Sequence, residues 1–264
     1  MIEESQEKQK GETYTGFRVN RSTETGPFDL IGDIHGCAAE LRLLLEKLGY
    51  REKDGFYSHP AGRRVVFLGD LVNRGPASIE VVRLAARMVE NGTALSVRGN
   101  HCQYVYGFFK KYQGNEYTRA RPWLEGLSPA DFTEFSELYL KLMEPTPPYL
   151  ILDGGRLVAA HAGIEAEMPG NQSRSIFEFC LYGETTSDLD PVTGYPKRRD
   201  WAATYRGKPF IAYGHTPTRN LTPEIRNNTV NLDQGCVYGG RLSALRYPEI
   251  EFVQVDAAQS YAKK

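Results

Sequence analysis

The sequence predicts a mixed α/β domain in which helices cover the faces of a β-sheet. In the first part of the chain, short apolar runs typical of buried strands alternate with segments whose apolar residues recur at helical spacing. In the later part, several strand-like runs follow one another. This order of elements is typical of mixed sheets packed between helices.

Length and composition set the domain organisation. The chain has 264 residues, of which 41% are hydrophobic and 25% charged, as in an ordinary globular protein with one sizeable core. Residues 1–27 are polar and charged, with too few apolar side chains to offset the entropy lost on ordering. We therefore predict a flexible N-terminal arm over 1–27, a single domain over 28–256 and a short C-terminal tail over 257–264.

Charge and hydropathy argue against a general polyanion-binding protein and against a membrane-spanning protein. The formal net charge of −1 gives no general field for polyanions, so local cations or metal ions must hold a phosphorylated substrate. No apolar run approaches the roughly 18 residues that span a bilayer, and residues 1–27 lack the apolar segment of a secretory signal. The four cysteines show no paired spacing, which favours reduced thiols. We predict a cytoplasmic protein with no membrane partner and no obligate protein partner.

The first strand, residues 28–31, ends in the turn Gly32–Gly36, which carries Asp33 and His35. Glycine allows the tight passage from strand to helix at this point, because it has no Cβ to clash. Leucines at helical spacing follow, and Gly49 is a typical helix stop.

The same unit occurs a second time. A predicted hairpin over residues 55–62 leads to the apolar run 64–68, which has the continuous hydrophobicity of a fully buried strand. The strand is followed by Asp70, Asn73 and Arg74, and a second amphipathic helix comes next.

The third unit is a short strand, residues 94–97, followed by Asn100 and His101. Residues 102–143 predict mainly helix, with a break near Pro122. Three further strands end in His161, His215 and Asp233, and residues 242–255 predict a closing β-hairpin.

The polar residues at these strand ends indicate one site. Six strands each end in an Asp, Asn or His flanked by glycine, and the carboxyl ends of strands in such folds meet at a shared crevice. Four of the five histidines lie in these positions; only His59 does not. The oxygen and nitrogen donors suit Mn²⁺, Fe or Zn²⁺.

Two metal ions are the simplest use of this donor set. Asp70 is the best bridge between them, and the pair would activate water at neutral pH for phosphoryl transfer. His101 is placed to protonate a leaving oxygen, and Arg74 offers paired donors to a phosphate. We assign the first ion to Asp33 and His35, and the second to Asn100, His161 and His215.

The motifs GDIHG, GDLVNRGP, GNH, HAG and GHT, in that order, resemble those of the calcineurin-like metallophosphoesterases of the phosphoprotein-phosphatase superfamily. The resemblance implies a four-layer αββα sandwich, two mixed sheets flanked by helices, with a binuclear metal centre. It implies two divalent ions, with Mn²⁺ as first choice and Fe, Zn²⁺ or Co²⁺ as alternatives. The same ligands, acid and phosphate-binding arginine follow from matching the motifs residue by residue.

Three later stretches, LYGETT, RRDWAA and NLDQGC, resemble the diadenosine tetraphosphatases of the ApaH and PrpE type and their eukaryotic ApaH-like relatives. The resemblance implies that Arg198 and Arg199 contact substrate phosphate, Arg198 being the better match. It gives Asp233 a functional role, orienting a metal ligand. A turn-forming Asp before glycine is an equally good interpretation of Asp233.

Asn73 stands where the superfamily motif has a second Asp, the partner of the acid histidine. Asn carries no charge, so His101 should be the weaker acid for a basic leaving group. A serine alkoxide needs a proton, whereas a departing nucleotide phosphate, with a second pKa near about 6, does not. Asn73 therefore favours phosphoanhydride cleavage.

We predict a hydrolase of dinucleoside polyphosphates, with diadenosine tetraphosphate as substrate. Hydrolysis of an mRNA 5′ cap is an alternative with the same chemistry, so the partners are a nucleotide polyphosphate or a capped RNA end. A protein Ser/Thr phosphatase is disfavoured by Asn73. A nucleotide-sensing module without catalysis would need a missing metal ligand, and none of the six is missing.

The segment between His101 and Leu127 mixes aromatic and basic residues. Two interpretations are open: a surface that stacks a nucleobase, or a helix that packs its aromatics inward, which we favour. The residues concerned are Tyr104, Tyr106, Phe108, Phe109, Lys110, Lys111, Tyr112, Tyr117, Arg119, Arg121 and Trp123.

Overall fold

The computed structural model describes residues 14–111, 122–189, 194 and 196–263. Its first half alternates strands and helices: β1 (Phe28–Ile31), α1 (Ala38–Leu48), β2 (Arg51–Lys53), β3 (Phe56–Ser58), β4 (Arg64–Phe67), α2 (Ser78–Glu90), β5 (Ala94–Ser96), α3 (Asn100–Lys111) and α4 (Pro129–Met143). The second half is richer in strands: β6 (Tyr149–Leu152), β7 (Leu157–Ala160), α5 (Arg174–Tyr182), β8 (Thr185–Leu189), β9 (Pro196–Arg198), α6 (Trp201–Thr204), β10 (Phe210–Tyr213), β11 (Ile225–Arg226), β12 (Thr229–Asn231), β13 (Asp233–Gln234), β14 (Arg241–Tyr247) and β15 (Glu251–Asp256).

Two mixed sheets form the centre of the domain. In the part of the chain that is described, the first sheet follows the order β13, β14, β1, β4, β5, with β15 also paired to β14, and the second follows β11, β12, β10, β7, β6. β1 runs parallel to β4 and antiparallel to β14. Both sheets therefore carry parallel pairs whose carboxyl ends lie on the same edge.

Alternation along the strands divides the apolar residues among three cores. In β1, Leu30 faces the core between the two sheets, whereas its neighbour Ile31 faces the core under α1 to α4. On the outer face of the second sheet, Val158 packs with Phe177 of α5 and Trp201 of α6. The layers are thus helices, sheet, sheet, helices, and the predicted αββα sandwich is confirmed.

Most element predictions agree with the structure, with differences at the edges. The hairpin predicted over residues 55–62 is formed by β2 and β3, which turn at Asp54 and Gly55; Gly62 lies outside it. The helical region 102–143 is broken as predicted, but residues 112–121 lie outside the described part of the chain.

The segment before β1 packs on the domain from residue 14 onward, while residues 1–13 lie outside the described ranges. Val19 is buried, the backbone N–H of Arg21 donates to the carbonyl of Ile151 at 2.9 Å, and Asn20 forms a β-bridge with Ile151. For residues 14–27 the prediction of a flexible arm is therefore wrong, because backbone pairing at the edge of β6 offsets the poor apolar content.

The C-terminal tail also packs against the domain. The backbone N–H of Ala258 and the hydroxyl of Tyr261 both donate to Oε1 of Glu40 on α1, at 3.0 and 2.8 Å. No helix in the described ranges is both long and apolar enough to cross a bilayer.

Candidate metal centre

The candidate site lies where loops from both sheets meet. β1 and β4 of the first sheet and β7 and β10 of the second end beside one another, and the first turn of α3 completes the ring. His35, Asp70 and His215 have positive φ angles of 48°, 44° and 73°. Backbone held in this sparsely populated region by its surroundings is typical of functional sites.

Two motif glycines are required by the close approach of these loops. A Cβ at Gly99 would lie 2.2 Å from Oδ1 of Asp70, and one at Gly214 would lie 2.1 Å from Oδ1 of Asp33. Any side chain at either position would push a carboxylate out of the site. The glycines therefore let the strand ends come together.

The first donor group consists of Asp33, His35 and Asp70. Nδ1 of His35 lies 2.9 Å from the carbonyl of Val72, which can only accept, so Nδ1 carries the proton and Nε2 presents its lone pair. That Nε2 lies 3.5 Å from Oδ2 of Asp70 and 3.9 Å from Oδ2 of Asp33. The three side chains converge on one point.

The second donor group consists of Asn100, His161 and His215. His161 donates from Nδ1 to the carbonyl of Leu68 at 2.9 Å, which turns its Nε2 toward the site. Oδ1 of Asn100 lies 2.9 Å from this Nε2 and 3.0 Å from Nδ1 of His215. The two imidazole nitrogens are 3.1 Å apart.

Asp70 lies between the two groups. Its Oδ2 is 3.5 Å from Nε2 of His35 and 3.4 Å from Nε2 of His161, while its Oδ1 accepts from the backbone N–H of His101 at 2.9 Å. This is the position that a bridging carboxylate would occupy.

The chemistry of the donors fits divalent cations. Oδ2 of Asp33 is buried without a hydrogen-bond partner among the described residues. Burial, reinforced by the nearby Asp233, raises the pKa of Asp33 well above its usual value. Burial also lowers the pKa of His35 to about 3 and the pKa of His215 well below its usual value. Against the effect of burial, the nearby Asp70 and Asp33 raise the pKa of His161 to about 9. A metal ion binds the unprotonated forms of these groups, so it would displace the protons of Asp33 and His161 and use the lone pairs that His35 and His215 present.

His101 is held by an amide whose orientation is fixed. Nε1 of Trp123 lies 2.8 Å from one end of the Asn73 amide, and an indole N–H can only donate, so that end is Oδ1. The other end, Nδ2, therefore donates to Nδ1 of His101 at 3.1 Å. His101 accepts at Nδ1 and packs edge-on against His35, with ring centroids 4.8 Å apart.

The three predicted arginines differ in their surroundings. Nη1 of Arg74 lies 2.7 Å from Nε2 of His35. Nη1 of Arg198 contacts Nε2 of His215 and donates to the carbonyl of Tyr182 at 2.5 Å, and burial lowers its pKa. Arg199, by contrast, pairs with Glu165 and Glu184. Arg74 and Arg198 thus lie at the metal centre, and Arg199 points away from it.

Asp233 is buried behind the first donor group. Its Oδ1 accepts from the backbone N–H of Gly235 at 3.0 Å, which is the turn-forming arrangement. Burial raises the pKa of this carboxyl to about 6. The hydrogen bond found among the described residues therefore supports the turn interpretation rather than a bond to a metal ligand.

Two cavities open on either side of the metal centre. The aromatic cavity, of about 730 Å³, is lined by Arg74, Asn100, His101, Tyr104, Trp123 and Tyr182, among others. The polar cavity, of about 450 Å³, is lined by residues that include Arg198, His215, Thr218, Arg219, Asn231 and Gln234. Both volumes are in the range of small-molecule sites.

In the described part of the mixed aromatic and basic segment, some aromatic residues are buried in the core and others line the aromatic cavity. Phe109 is buried in the core with Phe135 and Tyr139, whereas Tyr104 and Trp123 reach the aromatic cavity. The predictions for Tyr112, Tyr117, Arg119 and Arg121 lie outside the described residues. Sequence reasoning did not single out Tyr182 as an aromatic of the site, because it ends a helix of the other sheet.

The four cysteines, Cys37, Cys102, Cys180 and Cys236, are free and buried. Burial raises the pKa of the Cys102 thiol to about 12 and that of Cys180 further. Protonated buried thiols are poor nucleophiles. These cysteines serve as small core residues.

The chain was compared with known proteins. The profile of a family described as calcineurin-like phosphoesterase matches residues 26–253. The asymmetrical bis(5′-nucleosyl)-tetraphosphatase PrpE of Bacillus velezensis is 47% identical over 239 residues, covering 89% of this chain and 94% of that protein. The same-named protein of Bacillus subtilis is 46% identical, covering 89% and 96%.

Solved structures show the same fold. A crystal structure of a presumed diadenosine tetraphosphatase matches with a TM-score of 0.63 and 26% identity, covering 90% of this chain and 97% of that one. A protein serine/threonine phosphatase from Saccharomyces cerevisiae matches with a TM-score of 0.55 and 14% identity, covering 90% and 82%. At that identity the second likeness concerns the fold alone.

Proposed function

The chain belongs to the calcineurin-like phosphoesterase family, and from this premise we propose that it is a metal-dependent hydrolase of dinucleoside polyphosphates. Diadenosine tetraphosphate is the proposed substrate, split asymmetrically into a nucleoside monophosphate and a nucleoside triphosphate. The names of relatives that are 47% and 46% identical over most of the chain support both the substrate and the cleavage mode.

Asp33, His35 and Asp70 would hold one divalent ion, and Asp70, Asn100, His161 and His215 the other. The family uses a binuclear centre, and we propose Mn²⁺ for this chain, with Fe, Zn²⁺ or Co²⁺ as alternatives. Such a pair supplies positive charge to the phosphate oxygens and lowers the pKa of water. The chain's own contribution is to orient the donors, through backbone hydrogen bonds to His35 and His161, and to present them from strand ends.

Arg74 contacts His35 of the first donor group and Arg198 contacts His215 of the second, and both offer guanidinium donors to substrate phosphates. Because neither pairs with a carboxylate in the described part of the chain, both are available to a phosphate. Arg199 is already neutralised by two glutamates and is not part of this proposal.

The observation that carries the choice of substrate is the Trp123–Asn73–His101 chain of hydrogen bonds. Its fixed amide donates to Nδ1 of His101 and so places a neutral group where the superfamily motif has a carboxylate. Such a histidine can hydrogen-bond a leaving phosphate through Nε2 but is a poor proton source for an alkoxide. Since a departing nucleotide phosphate needs no proton at neutral pH, the arrangement suits an anhydride better than a phosphoserine.

The direct test uses the purified full-length chain with Mn²⁺ and three substrates: diadenosine tetraphosphate, capped RNA and a phosphoserine peptide. We expect hydrolysis of the first into AMP and ATP, read by chromatography, and a metal content near two per chain. Two ADP molecules would contradict asymmetric cleavage. Faster reaction on capped RNA or on the phosphopeptide would move the assignment to decapping or to protein dephosphorylation. Binding without hydrolysis would indicate a nucleotide sensor.

A further inference from the structure

Two tyrosine side chains that line the aromatic cavity, Tyr104 and Tyr182, lie outside the buried hydrophobic cores. The side chains of Tyr104 and Tyr182 are 62% and 44% exposed, high values for such large residues. They come from different layers of the fold, α3 and the end of α5, and both line the same cavity. Exposed rings that converge on a cavity beside a reaction centre are typical of a ligand site.

The spacing on α3 connects this cavity to the metal centre. Tyr104 follows Asn100 by four residues and His101 by three, so all three lie on one face of the helix. One helical turn, about 5.4 Å of rise, therefore separates the α3 position of Asn100 at the metal centre from that of Tyr104 at the cavity. That is the scale of the ribose that joins a 5′-phosphate to its base.

Charge separates this cavity from the polar one. No carboxylate is found among the described residues that line the aromatic cavity, and its one arginine, Arg74, lies at the inner end. The polar cavity adds Arg219 to Arg198. Of its carboxylates, Glu184 and Asp200 are paired with Arg199 and Arg226, and Glu224 accepts from the side-chain amide of Asn220. Stacking surfaces suit a base, whereas a row of arginines suits a polyphosphate.

We propose that the aromatic cavity binds the nucleoside monophosphate half of the substrate, with its base against Tyr104 and Tyr182. The triphosphate half then extends into the polar cavity, toward Arg198 and Arg219. This assignment rests on the proposed function and adds to it the direction in which the substrate lies.

The orientation of the substrate determines which phosphorus–oxygen bond breaks. The monophosphate half lies on the side of His101, so it is the leaving group. The oxygen of water bonds to the terminal phosphorus of the triphosphate half, the bond from that phosphorus to the bridging oxygen breaks, and the bridging oxygen leaves with the monophosphate. The protons of the water are released to solvent, since both product phosphates have a second pKa near about 6.

Binding measurements test the base site. In the Mn²⁺-loaded full-length chain, Tyr104→Ala and Tyr182→Ala should each weaken AMP binding about tenfold, the lower part of the range for a lost base stack. Binding of inorganic phosphate should not change, and Tyr104→Phe should retain AMP affinity. Leu43→Ala, at a residue that is 56% exposed on α1, is the matched control. Equal AMP affinity in wild type and both alanine variants would overturn the base site.

Isotope labelling tests the direction. Hydrolysis of diadenosine tetraphosphate in ¹⁸O-water should place the label in ATP and leave AMP unlabelled, as read by mass spectrometry. Label in AMP would show attack on the monophosphate phosphorus and would overturn the assigned direction. The two failures are distinguishable: a chain that hydrolyses no dinucleoside polyphosphate contradicts the proposed function, whereas the AMP measurement reports the base site without turnover.

Discussion

The floor of the site, formed by the six donor residues, and its rim, formed by residues such as Tyr104, Tyr182 and Arg198, are built in opposite ways. On the floor, four of the six donor residues are buried and the other two, Asn100 and His215, are partly buried. His35 and His161, at the ends of β1 and β7, each donate a hydrogen bond to a backbone carbonyl. On the rim, the side chains proposed to contact substrate are exposed and come from α3, α5 and β9. Backbone anchoring fixes the orientation of these two imidazoles, whereas we expect the rim to change without disturbing the metal centre.

This difference separates chemistry from selectivity. The floor carries the motifs by which the chain resembles the calcineurin-like phosphoesterases, and the same fold occurs in a protein serine/threonine phosphatase at 14% identity. We propose that the rim, with its aromatic and arginine residues, distinguishes one phosphate ester or anhydride from another. Substitutions on the floor should therefore affect every substrate, and substitutions on the rim only some.

The largest effect is expected at Asp70. Asp70→Asn removes the charge between the two donor groups but keeps an acceptor for the N–H of His101, so the fold should persist. We expect kcat to fall on the order of 10³-fold for all substrates, with loss of bound metal. Asp256→Asn, at an exposed carboxylate that ends β15 and is not among the residues given for either cavity, is the control. An Asp70 variant that keeps full activity and binds two metal ions would contradict a bridging role for Asp70.

Arg198 and Arg199 offer a matched pair on the rim. Arg198→Ala should lower kcat/KM for diadenosine tetraphosphate by about 10- to 100-fold, the value of a lost charge-assisted contact to phosphate. Arg199→Ala should stay within about threefold of wild type, because its guanidinium is held by Glu165 and Glu184. The reverse order in steady-state kinetics would show that the loop carrying both arginines moves when substrate binds.

Asn73 lies where floor and rim meet. Asn73→Asp would give His101 a charged partner, and we expect the ratio of phosphomonoester to anhydride hydrolysis to rise about tenfold or more. Trp123→Phe, which frees the Asn73 amide to rotate, should reduce activity without raising that ratio. An unchanged ratio in Asn73→Asp would end the argument that a neutral residue here favours anhydrides.

The smallest effect concerns stability rather than rate. The folded-state pKa of Asp233, about 6, lies above the value near 3.9 expected in the unfolded chain. The folded protein therefore binds more protons between these values, and stability falls as pH rises from about 4 to about 6. In chelator, Asp233→Asn should raise the free energy of unfolding at pH 7.5 by about 1–2 kcal/mol, and by much less at pH 4. Urea melts at the two pH values measure this; an equal gain at both would contradict burial of the charged form as the cause.

The floor could be predicted from sequence because its constraints are local. Each donor follows a strand within a few residues, and glycines mark the places where loops touch, as at Gly99 and Gly214. The rim could be predicted only as separate candidates, such as Arg198 and Tyr104, because its residues meet only through packing between layers. Tyr104 and Tyr182 share a cavity although their helices cover different sheets.

Arg198 and Arg199 illustrate the limit most clearly. The two residues are adjacent and chemically identical, and the sequence offered both as phosphate ligands. Arg198 ends β9 and pairs in register with Thr185, so the two neighbouring side chains leave the chain in opposite directions. Strand register, which no local pattern specifies here, decides which of them reaches the metal centre.

Strand pairing in the first sheet also determines when β1 can complete its pairing during synthesis of the chain. β1, which carries Asp33 and His35 at its end, lies between β4 and β14, with Leu30 opposite Leu245. The first motif therefore gains its second neighbour only when almost the entire chain has been synthesised. During translation β1 keeps one edge unpaired, and such an edge is open to pairing with other chains. The centre formed by the earliest motif is thus among the last parts of the molecule to be completed.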